Sequence, residues 1–221
     1  MPHTKHALPE PLTVPWEHKP LSSARSGAEG LPDGRMKFWI KHDLAKGVTP
    51  AMLVWWFSNL EGDVDIEGRL LNRYRVWHPF DHVYARYTRR LPDGSIGPGA
   101  QIDVLEYLGG TQKYKLEVLT TIEKLDEEGY VHNHVARGIS LARMEDTFRE
   151  VAGGTLYDSA LIVPSGRRSW FFRKIVVPLL FPEPKGQAWI KHTVEAVGCF
   201  ENFLPDLYRR ETRQQSAASA A

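Results

Sequence analysis

The sequence predicts an α+β fold in which an antiparallel sheet packs on a long C-terminal helix. Two observations carry this expectation. From Gln101 to about Val163, five segments of strand character follow one another with short turn signals between them. From Gln187, apolar residues fall at 189, 190, 194, 197, 200 and 204, which is helical spacing. Consecutive strands with short turns make an antiparallel meander, and the helix after them has an apolar stripe to bury against it. A strongly curved sheet around such a helix would enclose a cavity.

Residues 1–34 are rich in Pro, Gly, Ser and charge and lack a sustained period. They read as an extended arm that could wrap the domain or a partner subunit, which allows a homodimer. Residues 35–212 read as one domain, and 213–221, ending in SAASAA, as a disordered tail. MKFWIKHDL (36–44) fits a short strand or a turn of helix. Thr49-Pro50 is a helix start, with Thr as N-cap and Pro at the first helical position. AMLVWWFSNL then gives about three turns, ending near Glu61-Gly62. Trp55 and Trp56 are neighbours there and point about 100° apart, so one packs inward and the other meets a second element or a pocket. Pro79 interrupts regular structure after His78, and LPDGSIGPGA is a loop. The strands follow as IDVLEYL, YKLEVLTTIEKL, GYVHNHVARG, ISLARMEDTFREV and GTLYDSALIV. WFFRKIVVPLLFPEPKG is apolar and broken by prolines. Pro205 falls near the end of the last helix.

Bulk properties narrow the function. Lys plus Arg (28) nearly cancels Asp plus Glu (27), and the net charge of +1 gives no reason to expect nucleic acid or an anionic membrane as partner. One cysteine, Cys199, excludes an internal disulfide and suits a reducing compartment. The N-terminus lacks the apolar core of a signal peptide, and no run of about 18 apolar residues exists. A cytoplasmic protein is the expectation. A chain of 221 residues can bury a core without a metal, so a bound metal would serve chemistry rather than folding. Seven Trp, nine Phe and eight Tyr either fill that core or line a pocket for a flat ligand.

Three histidine groups could bind metal. Trp77-His78-Pro79-Phe80-Asp81-His82 packs two imidazoles and a carboxylate around a proline, which can aim a ligand and orient it. The same residues could be a helix cap with a surface histidine pair. His192 and Glu195 lie three apart on the C-terminal helix and so share a face, either around one ion or as a polar stripe. His132 and His134 are neighbours on one strand face, and solvent is the simpler surrounding for them. His3, His6 and His18 fall in the arm and read as solvated. Glu106 ends a strand: if Ile102, Val104 and Glu106 share the inward face, a carboxylate enters the interior, where it must be paired or metal-bound. The other register turns it to water.

Four segments in this order, VTPAMLVWWFSNL, RYRVWHPFDH, GAQIDVLEYLGG and HTVEAVGCFENFLPDLY, resemble the diacetylphloroglucinol hydrolase family, which includes phloretin hydrolase-like enzymes. The resemblance runs from about Val48 to Tyr208. It implies a helix-grip, Bet v 1-like fold enclosing a cavity. It also implies one zinc held by two His and two Glu, and hydrolysis of the carbon–carbon bond between a phenolic or polyketide ring and an acyl group, as in an acylphloroglucinol. On this chain the implied ligands are His82, Glu106 and His192, with Glu195 as the carboxylate one turn after His192 and His78 as the alternative to His82. Tyr74 is implied as a hydrogen-bond partner of a substrate hydroxyl. Tyr74 and His134 are candidates for supplying the carbon proton, and Trp55, Trp56 and Trp77 for the walls of the substrate site. The family pattern carries adjacent glutamates three and four residues after the helix histidine, with the ligand at the fourth. In this chain Glu195 is the third and Ala196 the fourth. Three ligands and a water would still make a catalytic site. Two other functions fit the same fold: a non-catalytic protein that binds a hydrophobic ligand, and a metal-dependent polyketide isomerase or cyclase.

Overall fold

The structure, a computed structural model, describes residues 7–136, 139–164 and 181–219. His3, His6 and most of the proline-broken apolar segment (170–180) lie outside the described residues. Among the described residues the chain forms eleven strands and three α-helices. β1 (Ala24–Gly30), β2 (Met36–His42) and β3 (Ala45–Lys46) precede α1 (Pro50–Ser58). A small hairpin, β4 (Asp63–Ile66) and β5 (Arg69–Asn72), leads into α2 (Arg73–Trp77). Then come β6 (His82–Arg89), β7 (Gln101–Tyr107), β8 (Lys115–Asp126), β9 (Gly129–Ala136), β10 (Ile139–Val151) and β11 (Gly154–Val163), and last α3 (Glu183–Ser219).

Nine strands form one antiparallel sheet in the order β1-β2-β11-β10-β9-β8-β7-β6, with β3 beside β11. β7 to β11 are the meander read from the sequence. The return of β2 to the last strand, β11, and the long helix laid against the sheet make this the helix-grip arrangement. Residues 24–30, within the stretch read as an arm, pair along the whole of β2.

α1 starts as its sequence dictates: the Thr49 side chain accepts the N–H of Met52, and Pro50 follows. Its buried stripe is Pro50, Leu53, Trp56 and Phe57. Trp56 is fully buried and meets Trp77, Phe200 and Phe203 edge-on. α2 ends at Trp77, and its extended C-cap, His78, directly precedes Pro79. α3 continues through Pro205. Near its start, a Cβ on Gly186 would lie 2.1 Å from the Phe38 ring, so a glycine lets the helix sit directly on β2. α3 divides the interior into two apolar clusters. One joins Phe38, Ile40 and Leu161 of the sheet to Trp189, Ile190 and Val194. The other joins α1 and α2 to Phe200, Phe203 and Leu204.

The arm binds the outer side of α3 and the segment after α2. Trp16 stacks on Phe203, Lys19 pairs with Glu201 at 2.8 Å, and the Leu12 N–H donates to the Pro79 carbonyl. His18 is therefore not the solvated residue its place in the sequence suggested; its ring packs against His78 and Phe80. Among the described residues, no helix is long and apolar enough to cross a membrane.

Candidate metal centre

A cavity of about 390 Å³ lies between the sheet and α3. Phe57, Trp77, Tyr130, Tyr157 and Trp189 give it aromatic walls, and Tyr74, Glu106, His132, His134 and His192 give it polar groups. His82, Glu106 and His192 offer ligand atoms that all lie within 4.8 Å of one another.

Local structure explains how these three meet. His82 opens β6 and is paired directly with Glu106 of β7. Ile102, Val104 and Glu106 alternate onto the cavity side, which decides the register that the sequence left open. On α3, Trp189, His192, Thr193, Ala196 and Val197 line the cavity at helical spacing. The His82 Nε2 stands 3.6 Å from Glu106 Oε1, and the His192 Nε2 3.7 Å from Glu106 Oε2.

Hydrogen bonds fix both imidazole tautomers. The His82 Nδ1 is 2.9 Å from the Tyr74 carbonyl, an acceptor, so it donates. His192 Nδ1 donates to Asp81 Oδ2 at 2.9 Å. Asp81 is held in turn by the N–H groups of Gly109 and Gly110 at 2.8 and 2.7 Å. Those glycines take φ of 70° and 63°, a backbone that side chains resist. The paired glycines thus shape the turn that anchors Asp81. With each Nδ1 committed as a donor, each neutral imidazole turns an Nε2 lone pair toward the carboxylate. The buried His82 Nε2 has no hydrogen-bond partner among the described residues. Lone pairs converging on an anion at this spacing repel unless a cation lies among them. Ligand bonds of about 2.0–2.2 Å in a tetrahedral site set donors some 3.3–3.6 Å apart. The donor set fits zinc, and orientation of each imidazole by a carbonyl or carboxylate is the usual arrangement around such ions.

Electrostatics favour the neutral ring at His82 and, with no cation present, the charged ring at His192. Burial lowers the His82 imidazole well below its ordinary range, keeping it neutral. Burial also pulls His192 down, but the Glu106 and Asp81 carboxylates outweigh it and the net shift is upward. Burial raises the Tyr74 phenol well above its usual value, and the adjacent Glu106 adds to this. Its hydroxyl donates to Glu106 Oε1 rather than standing free in the cavity, and its ring stacks on His82.

Other residues named from the sequence fall elsewhere. Glu195 is not brought to Glu106. It turns to the opposite side of the helix face, 2.5 Å from Lys191 and 3.4 Å from His78 Nε2, with His18 4.0 Å away. Ala196 occupies the cavity-facing position one turn after His192. His78 is buried beside the centre, its ring stacked on His192. Its Nδ1 accepts the Asp81 N–H, so in the neutral ring Nε2 carries the proton and points toward Glu195. At 3.4 Å from Glu195 Oε2 it makes no full hydrogen bond, and His78 stands outside the His82, Glu106 and His192 group. Trp77 lines the cavity, and its indole N–H donates to the Ala196 carbonyl. Trp55 and Trp56 do not: Trp56 is spent in the core, and Trp55 meets Tyr208 and the Arg73 guanidinium. His132 and His134 both line the cavity, and His134 also keeps some contact with solvent. His134 Nδ1 donates to the Leu119 carbonyl at 2.8 Å.

Asp146 was not singled out from the sequence. It is 1% exposed, and neither carboxyl oxygen has a full hydrogen bond among the described residues. Burial pushes its pKa up to about 7, against the pull of the Ser159 and Tyr157 hydroxyls beside it. A folded pKa above the unfolded value favours the fold while the carboxyl is protonated. That stability is whole below about pH 4 and is lost as pH rises through about 7, at about 1.4 kcal/mol per pH unit. Asp146→Asn is therefore expected to flatten this dependence and to be more stable than wild type at pH 8 by a few kcal/mol. Denaturant unfolding at pH 5 and pH 8 measures it, and equal slopes in both proteins would refute it.

Residues 16–124 match the family model described as the DAPG hydrolase PhiG domain. This stretch includes Tyr74, His82 and Glu106 but not His192. No curated protein matches the chain. Among solved structures, it is similar to Ara h 8.0201 (15% identity, TM-score 0.36, covering 76% of this chain and 98% of that one). It is also similar to a START superfamily protein from Mycobacterium smegmatis (13%, 0.40, 76% and 99%) and to CalU16 from Micromonospora echinospora (15%, 0.38, 89% and 95%).

Proposed function

We propose that this chain, which belongs to the DAPG hydrolase-like family, is a zinc-dependent hydrolase that splits the carbon–carbon bond between a hydroxylated aromatic ring and its acyl group. The observation that carries the reading is the convergence of two buried imidazole lone pairs and one carboxylate at the wall of an aromatic cavity.

His82 and His192 would hold the ion through Nε2 and Glu106 through its carboxylate. Bound there, a zinc ion supplies Lewis acidity, which polarises an acyl carbonyl and acidifies a water. The Tyr74 hydroxyl and the Asp81 carboxylate keep Glu106 and His192 aimed at it. Three protein ligands leave a coordination position for substrate or water, and Ala196 leaves the space beside it clear. Phe57, Trp77, Tyr130 and Tyr157 fit the faces of a flat ring and keep bulk water from the reacting bond. The water oxygen bonds to the acyl carbon. The ring–acyl bond breaks with its electron pair going to the ring carbon, which must then take a proton. His134 can hold and deliver that proton at Nε2, since its Nδ1 is fixed as a donor to Leu119.

The test is incubation of the zinc-loaded protein with 2,4-diacetylphloroglucinol and with phloretin. Release of the deacylated ring and the free acid in equal amounts is expected. Ala196 favours one second reading, a protein that binds such ligands without turning them over. Saturable binding with no acid released would establish that reading and overturn the hydrolase.

A further inference from the structure

We propose that the outer end of the cavity is an anion-binding subsite built on Lys185, so that the substrate class is an acylated aromatic bearing a carboxylate or similar acidic group remote from its acyl carbon. The inference rests on the reading of this cavity as the substrate site and deepens it.

Lys185 lines the cavity on the same helical face as Trp189, His192 and Ala196. Seven residues separate it from His192, nearly two full turns, which is about 10 Å along the axis. A single benzene ring with an acyl group at one end and an acidic group at the other spans a distance of that order. Trp189, one turn above Lys185 and near His192, forms the wall between the two ends.

Among the described residues, Lys185 also lacks a counter-ion. Every Asp and Glu of the chain lies within the described residues, and none of them pairs with Lys185. The cavity's other carboxylates are committed: Glu117 is 2.6 Å from Lys115, and Glu106 belongs to the candidate metal centre. The Lys185 ammonium lies over the face of the Phe181 ring, 5.4 Å from its centroid. The side chain is half-buried, and burial lowers its pKa. This cation has shed part of its water without gaining an opposite charge from the described residues, which is unfavourable. A ligand anion would supply the charge and a charge-assisted hydrogen bond. An uncharged ligand of the same shape would not.

The probes are 4-acetylbenzoate and its uncharged analogue 4-methylacetophenone, with binding read from quenching of tryptophan fluorescence, since Trp77 and Trp189 line the cavity. Binding is measured on the zinc-loaded protein and again after chelation. The chelated sample ensures that a carboxylate bound to the ion cannot mimic the result, and a failure there leaves the metal reading untouched. Wild type is expected to bind 4-acetylbenzoate about tenfold more tightly than the uncharged probe in both states. Lys185→Met is expected to erase that preference and leave 4-methylacetophenone binding unchanged, which also shows that the variant is folded. Lys185→Arg should keep the preference. Equal binding of the two probes by wild type, equal weakening of both in Lys185→Met, or binding of neither would overturn the subsite.

Discussion

Replacing His192 with alanine is expected to lower turnover by about 10³-fold or more while leaving the fold in place. The magnitude follows from the several kcal/mol that a Lewis acid contributes to such a reaction. Folding should survive for local reasons. Alanine is a strong helix former, the helix buries its apolar stripe on either side of position 192, and Asp81 keeps both glycine N–H donors. Steady-state rates and thermal unfolding check the two halves. The same substitution tests the main electrostatic alternative, in which His192 is an imidazolium bridging Asp81 and Glu106. In that case its loss would leave two largely buried carboxylates uncompensated, and stability would fall by about 3–5 kcal/mol.

Ala196→Glu is expected to tighten zinc binding by about tenfold or more. Positions 192 and 196 are one turn apart on the same face, and both line the cavity, so a carboxylate at 196 starts beside the three existing donors. The scale is set by groups that only orient a ligand, whose loss alone moves affinity by about 10–100-fold. Competition against a chromophoric chelator measures it. Unchanged affinity would mean that the new carboxylate does not reach the ion, and that the missing family glutamate is not what distinguishes this centre.

Much of the fold was legible because its strands alternate and its turns are marked. β7 to β11 carry period-two patterns between Gly- and Asp-rich turns. β1 was not legible: ARSGAEG is an edge strand with mostly exposed residues, and such strands avoid apolar alternation. The β4–β5 hairpin has only four residues on each side, too few to establish a period. In the site, spacing put His192 and Glu195 on one helix face without saying whether that face turns inward, and it could not choose the register of Glu106. Pairing with His82 across β6 and β7 decides it, and that is a contact between residues far apart in sequence. Glu195 went the other way because Lys191 offers it a charged hydrogen bond, with the His78 ring beside it. The role of Asp81 had a readable trace, a carboxylate next to His82 with two consecutive glycines after the neighbouring strand. So did Asp146. Ala142, Met144, Asp146 and Phe148 alternate along β10, the same pattern that made Glu106 conspicuous. Trp55 and Trp56 had no such trace, since a large aromatic serves a core and a pocket equally well.

The central claim is that His82, Glu106 and His192 hold one divalent ion. Elemental analysis of zinc per chain, after dialysis against metal-free buffer, tests it most directly. One zinc per wild-type chain and almost none in folded His192→Ala is the expected result. Equal zinc in the two proteins, or none in a wild-type protein reconstituted with the metal, would contradict it.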